Sequence, residues 1–381
     1  MACYYGNCRN SKKVLSRRVT CGMRETVMTD NPEKKRLWLF LAVTYGMTAI
    51  MSIFMFIGLK KKIDLTVFVD AQLMYPACGV ILGKLLYKED DKKLPMAGYM
   101  CVLIATALQV LIAVLSVFID VSPIDGGAAG DLDFWSTIGV IPIIAGSFIL
   151  YILFWICGKE KAENAGLIRK KVKLSLVLIL LFVLLMVARE FAICYLSDLA
   201  EGTGEYVADF VGVFKRPLNY LAFFALPFGY VFSVISFFGE EYGFRYYLQP
   251  VMQKKFGLRG GIILLSLAWA FWRLNIDFMY YSIEDGPRMF LYQVISCLAL
   301  GVFLGYSYMK TENIWVPIIM HYLFDSLSVV IAGENAIVLQ NQRISWFELP
   351  ILFVASVVFM LFIFCPIFNK KKKEIPKEAD M

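Results

Sequence analysis

Histidine is almost missing from this chain: His321 is the one example in 381 residues, and there is no H-E-x-x-H run and no C-x-x-C pair. A catalytic zinc usually takes three protein ligands rich in His, so zinc chemistry is not expected, and no other cofactor is signalled. Charge is scarce as well, at 18% of residues against the quarter or so of a soluble protein. No internal repeat and no low-complexity tract is found, and no polar stretch is long enough to fold as a soluble domain. The nine cysteines are odd in number, and Cys78, Cys101, Cys194, Cys297 and Cys365 fall within or beside apolar runs, where a thiol behaves as a small hydrophobe. A disulfide framework is therefore not expected. The segment 1–36 lacks an apolar core and a small-residue cleavage site, so it does not read as a secretory leader, and Met1 and Met28 both stay open as the start.

What the chain has in abundance is apolar sequence: 59% hydrophobic residues and a mean hydropathy of +0.65. About 20 apolar residues cross a bilayer core as a helix. By that measure ten spans are expected, at 37–59, 65–87, 95–119, 135–157, 174–196, 219–250, 257–280, 289–309, 313–332 and 349–368, the sixth and seventh being the least regular. The expected fold class is all-α, a polytopic transmembrane helical bundle.

Lysine and arginine in short loops orient such a bundle. The segment 1–36 carries nine, 158–173 carries six, and Lys370 to Lys373 with Lys377 mark the tail, whereas 120–134 has four Asp and no base. Ten spans in a cell membrane with both termini cytoplasmic satisfy this pattern, except for Lys60 to Lys62, which would face outward unless the first two spans form a re-entrant pair. The +7 net charge is accounted for by these flanks, so nucleic acid is not an expected partner. The resulting organisation is a basic segment 1–36, four spans over 37–157, a six-span half over 174–368 and a basic tail 369–381.

The halves differ in where charge is placed. Asp70 and Lys84 lie near span ends, where a long side chain can reach the interface at little cost. Arg189 and Glu190 are deeper. As helix neighbours they point about 100° apart, so each is expected to meet a different helix in a structural role. In the C-terminal half Glu240, Glu241, Arg245, Arg273, Asp277, His321 and Asp325 are concentrated in or beside spans, and intramembrane ionisable residues mark function by default.

Three short stretches carry most of that charge. In Gly239-Glu-Glu-Tyr-Gly-Phe-Arg245, Glu241 and Arg245 stand four apart with the acid first, the favoured order for an intrahelical pair, which turns Glu240 away without a local partner. In Leu267-Ala-Trp-Ala-Phe-Trp-Arg273, Trp269 and Arg273 share a face, and the simplest expectation is a guanidinium stacked on an indole. In Trp315-Val-Pro-Ile-Ile-Met-His-Tyr-Leu-Phe-Asp325, His321 and Asp325 project from one face a turn apart, and Pro317 sits near the helix start, where it is tolerated. Read without a family, EExxxR is also compatible with an ion-paired helix end, and a lone histidine with a satisfied polar residue.

Taken in order and at this spacing, the three stretches resemble the CAAX prenyl protease 2 and bacteriocin-processing (CPBP, or Abi) family of intramembrane proteases, over roughly 219–332. The resemblance implies a helical core with a water-filled cavity, in which Glu240 corresponds to the water-activating acid and Glu241 and Arg245 to its structural partners. His321 and Asp325 correspond to the pair that stabilises the oxyanion. Family names often include metalloprotease, although a metal-free glutamate–histidine site is the physical expectation here. The chain departs at Arg273, where the family pattern has a histidine. Arginine has no acceptor lone pair and cannot take a proton from water; paired with Glu240, it would instead occupy the carboxylate the family uses. Two functions follow: an intramembrane endopeptidase acting on a peptide or membrane-protein segment, or a catalytically degenerate relative that binds such a partner, as an immunity or regulatory protein would. A transporter would need broken helices or inverted repeats about a midplane site, and neither is apparent in the sequence.

Overall fold

The computed structural model describes residues 32–88, 92–126, 130–332 and 340–369. The basic tail 370–381, the candidate start Met28 and the cysteines Cys3, Cys8 and Cys21 lie outside the described residues, as does most of the basic segment 1–36.

Apolar runs become helices because a backbone in lipid must satisfy every N–H and C=O within its own segment. The chain folds into α1 (Pro32–Lys61), α2 (Thr66–Leu86), α3 (Met96–Phe118), α4 (Phe134–Ile156), α5 (Lys159–Ala165), α6 (Val172–Glu201), α7 (Glu205–Val213), α8 (Pro217–Phe256), α9 (Leu258–Trp272), α10 (Leu274–Tyr281), α11 (Gly286–Thr311), α12 (Trp315–Ala332) and α13 (Glu348–Phe364). Only one isolated bridge, Ile124 with Leu132, pairs extended backbone among the described residues. The fold is an all-α polytopic bundle.

Seven helices are long and apolar enough to cross a membrane, namely α1, α2, α3, α4, α6, α8 and α11, and α9 with α10 makes an eighth as a bent pair. The apolar helices α12 and α13 are shorter. They fall on the last two of the ten runs expected from sequence, which accounts for the difference in number.

The re-entrant pair allowed for at Lys60 to Lys62 is not where the bundle breaks. α1 and α2 each have the length of a full span, and Lys61 Nζ is satisfied by donating to Val117 O at 2.7 Å. The break falls in the seventh expected run, where α9 and α10 meet at 42° with Arg273 between them. A kink must return its freed backbone groups to partners. Here the Trp272 carbonyl accepts from Gln72 Nε2 of α2 at 2.9 Å, and Asn275 Nδ2 donates to the same side chain's Oε1 at 2.8 Å.

α2 is the most enclosed span, with 78% of its apolar window inside the protein. It lies against α8, whose other neighbours include α4, α9 and α12. The contact is close because of two glycines four residues apart. A Cβ on Gly239 would stand 2.3 Å from Leu73 O, and one on Gly243 2.2 Å from Pro76 Cβ. Small residues at this spacing let helix backbones touch in a membrane. The charged stretch of α8 is thereby fixed against the first half of the chain.

Candidate active site

Glu240 and Glu241 end the regular part of α8, and the helix widens into a π-helical segment over Tyr242–Leu248. Such segments recur at functional sites, because the extra residue re-aims side chains that a regular helix would stagger. The two glutamates are 1% and 0% exposed, and each meets a different set of partners.

Glu241 joins the structural set. Its Oε2 lies 3.2 Å from Arg245 Nε, and its Oε1 is 2.9 Å from His321 Nδ1 on α12. Arg245 is fully buried, with its guanidinium 4.3 Å from the centre of the Trp269 ring. The stacking expected between Trp269 and Arg273 is thus made by Arg245 instead. Arg273 lies at the helix break, beyond the regular turn that would have laid it along the indole, and its guanidinium is 5.9 Å from the Tyr281 ring centre.

Glu240 joins the second set. Its Oε1 pairs with Arg273 Nη1 at 3.1 Å, and its Oε2 accepts from Trp269 Nε1 at 2.6 Å. The partner absent from its own helix is supplied by α9, and it is the residue at which the chain departs from the family pattern. Arg273 also donates from Nη2 to Tyr281 Oη at 2.9 Å. The Trp269 ring bridges the two sets, since it lies edge-on to His321 at 5.2 Å between centres.

A cavity of about 610 Å³ opens beside these groups. Arg273, Tyr281, His321 and Asp325 line it, and Arg189 and Glu190 of α6 also face it. His321 Nε2 lies 3.9 Å from Asp325 Oδ2, and the Asp325 side chain is half exposed. Glu240, Glu241 and Arg245 are not part of the lining. Of the six candidate residues, three therefore face the open space and three form the buried layer behind it.

Arg189 and Glu190 correct a sequence expectation. Arg189 does meet another helix, its Nε donating to Ser356 Oγ of α13 at 3.0 Å, but Glu190 Oε1 pairs with Arg189 Nη1 of its own helix. Long side chains fold back across the angle that separates their Cβ atoms. Sequence reading also left Tyr281 without a role, and it gave Asp277 none beyond membership of the charged set. Asp277 is fully buried, and neither carboxylate oxygen has a hydrogen-bond partner among the described residues.

The donor set does not suit zinc. The only histidine gives Nδ1 to Glu241, both Glu240 oxygens are engaged, and no three His, Cys, Asp or Glu side chains come together to hold a metal among the described residues. Cys78, Cys101, Cys157, Cys194, Cys297 and Cys365 are free thiols.

Residues 222–327 match the family model described as "Rce1-like: Type II CAAX prenyl endopeptidase Rce1-like". The match begins within α8 and ends within α12, so it covers all six candidate residues and none of α1 to α6. None of the curated proteins and none of the solved structures compared with the chain matches it.

Proposed function

With residues 222–327 forming a domain of the type II CAAX prenyl endopeptidase, Rce1-like family, we propose that this multi-pass membrane protein is an intramembrane endopeptidase whose water-activating acid, Glu240, is held by Arg273 in the state described. The observation that carries this reading is the convergence of Glu240, Glu241 and His321 from α8 and α12 beside a cavity roomy enough for a peptide segment.

Each side chain then has a task. Glu240, once its Oε1 leaves Arg273, keeps Oε2 on the Trp269 indole and is oriented to take a proton from water. The resulting hydroxide attacks the scissile carbonyl, and collapse of the tetrahedral intermediate breaks the C–N bond as the proton held by Glu240 passes to the leaving amine. His321 has one nitrogen anchored by Glu241 and the other directed toward Asp325, so a ring protonated at both positions donates Nε2–H to the oxyanion as charge develops there. Arg245 holds Glu241 from behind, which fixes the tilt of the imidazole. The substrate is a peptide or membrane-protein segment reaching the cavity from the bilayer or the cytoplasmic side.

A second reading is favoured by one observation: both Glu240 oxygens are occupied. If that occupation is permanent, the protein binds a segment without cutting it, as a regulatory or immunity protein would. Reconstituted vesicles carrying quenched fluorescent peptides separate the two readings. The endopeptidase reading expects cleavage by the wild type and a loss of about a hundredfold or more in Glu240→Gln, the scale on which general-base catalysis contributes. Cleavage by Arg273→His alone would establish the binding reading, and equal rates in wild type and Glu240→Gln would remove Glu240 from the chemistry.

A further inference from the structure

Two complementary groups with unused bonding capacity sit one helical turn apart at the cavity, Arg273 in its wall and Asp277 outside its lining. Arg273 Nε has no hydrogen-bond partner among the described residues, although the residue is only 7% exposed. Asp277, 0% exposed, leaves both carboxylate oxygens unpartnered. The Asp277 N–H donates to the Arg273 carbonyl at 3.1 Å, so a helical turn is closed across the break and the two side chains leave on one face. Tyr281 stands a further turn along. Arg273 Nη2 donates to its Oη at 2.9 Å.

Buried carboxylates are costly unless paired, and of two here, Glu240 and Asp277 one helical turn from Arg273, only one has the guanidinium. Glu240 has it in this structure, at 3.1 Å. Arg273 is also the residue at which α9 and α10 bend by 42°, with φ −89° and ψ 0°, outside the regular helical well. The cation therefore stands on a joint between two acids.

We propose that Asp277 is a positioning residue for the candidate reaction, acting as the second seat of Arg273. With the guanidinium on Glu240 the site is closed; with the guanidinium on Asp277, Glu240 keeps only the Trp269 N–H and its Oε1 becomes available. The exchange moves one ion pair between two buried acids and leaves the number of buried charges unchanged; the acid without the guanidinium is Asp277 in one seat and Glu240, still held by the Trp269 N–H, in the other. It also supplies the release step that the endopeptidase reading needs, and it rests on that reading only for its consequence in catalysis.

The test is a readout at Glu240 that needs no substrate. A hydrophobic carbodiimide, dicyclohexylcarbodiimide, is reacted with the full-length protein in vesicles, and the rate of modification at Glu240 is followed by mass spectrometry. Labelling proceeds through the released population, so Arg273→Gln should speed it and Asp277→Asn should slow it by about threefold or more. The double variant should match Arg273→Gln, because without the arginine there is nothing for Asp277 to receive, and Asp277→Glu should restore a rate near that of the wild type. An Asp277→Asn rate equal to or faster than the wild type overturns the proposal, as does a double variant as slow as Asp277→Asn. Asp277→Glu and the double variant also guard against misfolding, since general damage would not be reversed in either. If labelling behaves as expected and no variant cleaves the vesicle peptides, the endopeptidase reading fails and the two-seat arrangement stands.

Discussion

The buried polar side chains of α1 to α4 are uncharged, whereas those of α6 to α13 include Arg189, Glu240, Glu241, Arg245, Arg273 and Asp277. In the first region Thr48 donates to Thr44 O, Ser52 to Thr48 O, Thr106 to Val102 O and Ser116 to Ala113 O, so each of these hydroxyls is satisfied by its own helix. In the second, Glu240 depends on α9, Glu241 on α12 and Arg189 on α13, with charge meeting charge or a polar side chain across helices. A group satisfied locally is indifferent to how helices shift. A group satisfied by a neighbouring helix changes partner when that helix moves, which is the property a reacting site needs. The first region nevertheless supports the second: α2 meets α8 at Gly239 and Gly243, and Gln72 satisfies the carbonyl left free at the kink beside Arg273.

The comparison breaks most severely at Arg245. Its guanidinium and the Glu241 carboxylate are both 0% exposed and face each other at 3.2 Å. Removing one member of a buried pair strands the other, at a cost of about 3–5 kcal/mol. Arg245→Met is expected to lower stability by that amount in detergent, measured as the loss of unfolding free energy, and the further change Glu241→Gln should recover part of it by removing the stranded charge. A small loss in the single variant would mean that His321 alone suffices to hold Glu241.

The wall between the regions gives a smaller effect. Gly243→Ala places a methyl carbon 2.2 Å from Pro76 Cβ and 2.9 Å from the Pro76 carbonyl carbon, so the two helices must separate. The expected cost is about 1–3 kcal/mol, the range for overpacking. Gly212→Ala is the control: it meets nothing within 4 Å, and as a helical glycine-to-alanine change it should be neutral or stabilising by up to about 1 kcal/mol. Equal effects at the two glycines, read by thermal unfolding, would show that α2 does not bear on α8.

How far this was legible from the residues depends on the distance over which each feature is decided. Apolar runs report helices directly, so the spans could be read. The pairing of Glu241 with Arg245 is set by a spacing of four within one helix, and it too could be read. Arg273 on Glu240 followed from asking what a cation does where the family pattern has a histidine. Three features escaped. The kink has no proline or glycine at Arg273-Leu274-Asn275 to announce it, because its backbone is satisfied from α2. The exchange of stacking partners at Trp269 follows from that kink together with the π-helical segment, both of which depart from a regular helical wheel. The pairing of Arg189 with Glu190 depended on side-chain reach, not on Cβ direction. The close contact of α2 with α8 did leave a signal, since Gly239 and Gly243 frame the two glutamates at the four-residue spacing of touching membrane helices.

The mildest break lies where the connector between the regions is pinned to α11. Glu312, just beyond that helix, accepts from Lys171 Nζ at 3.0 Å and from Lys170 Nζ at 3.3 Å, and Lys171 also donates to Lys310 O at 2.8 Å. The hydrogen bond from Lys171, reinforced by that from Lys170, holds the Glu312 carboxyl below its ordinary value of 4.5. A group whose folded value is depressed contributes stability above its unfolded value and loses it as pH falls through the folded one. Glu312 therefore strengthens the clip at neutral pH and ceases to do so on acidification below about 4.5. Its side chain is 58% exposed, so screening keeps the contribution under about 1 kcal/mol. Glu312→Gln should lower stability by no more than that at pH 7, and the two proteins should converge as the pH falls well below 4.5 or as salt is raised. Unfolding curves at neutral and acidic pH measure the convergence. A difference that survives both conditions would mean that the connector is held by the backbone contacts of Lys171, making it a rigid joint between the regions.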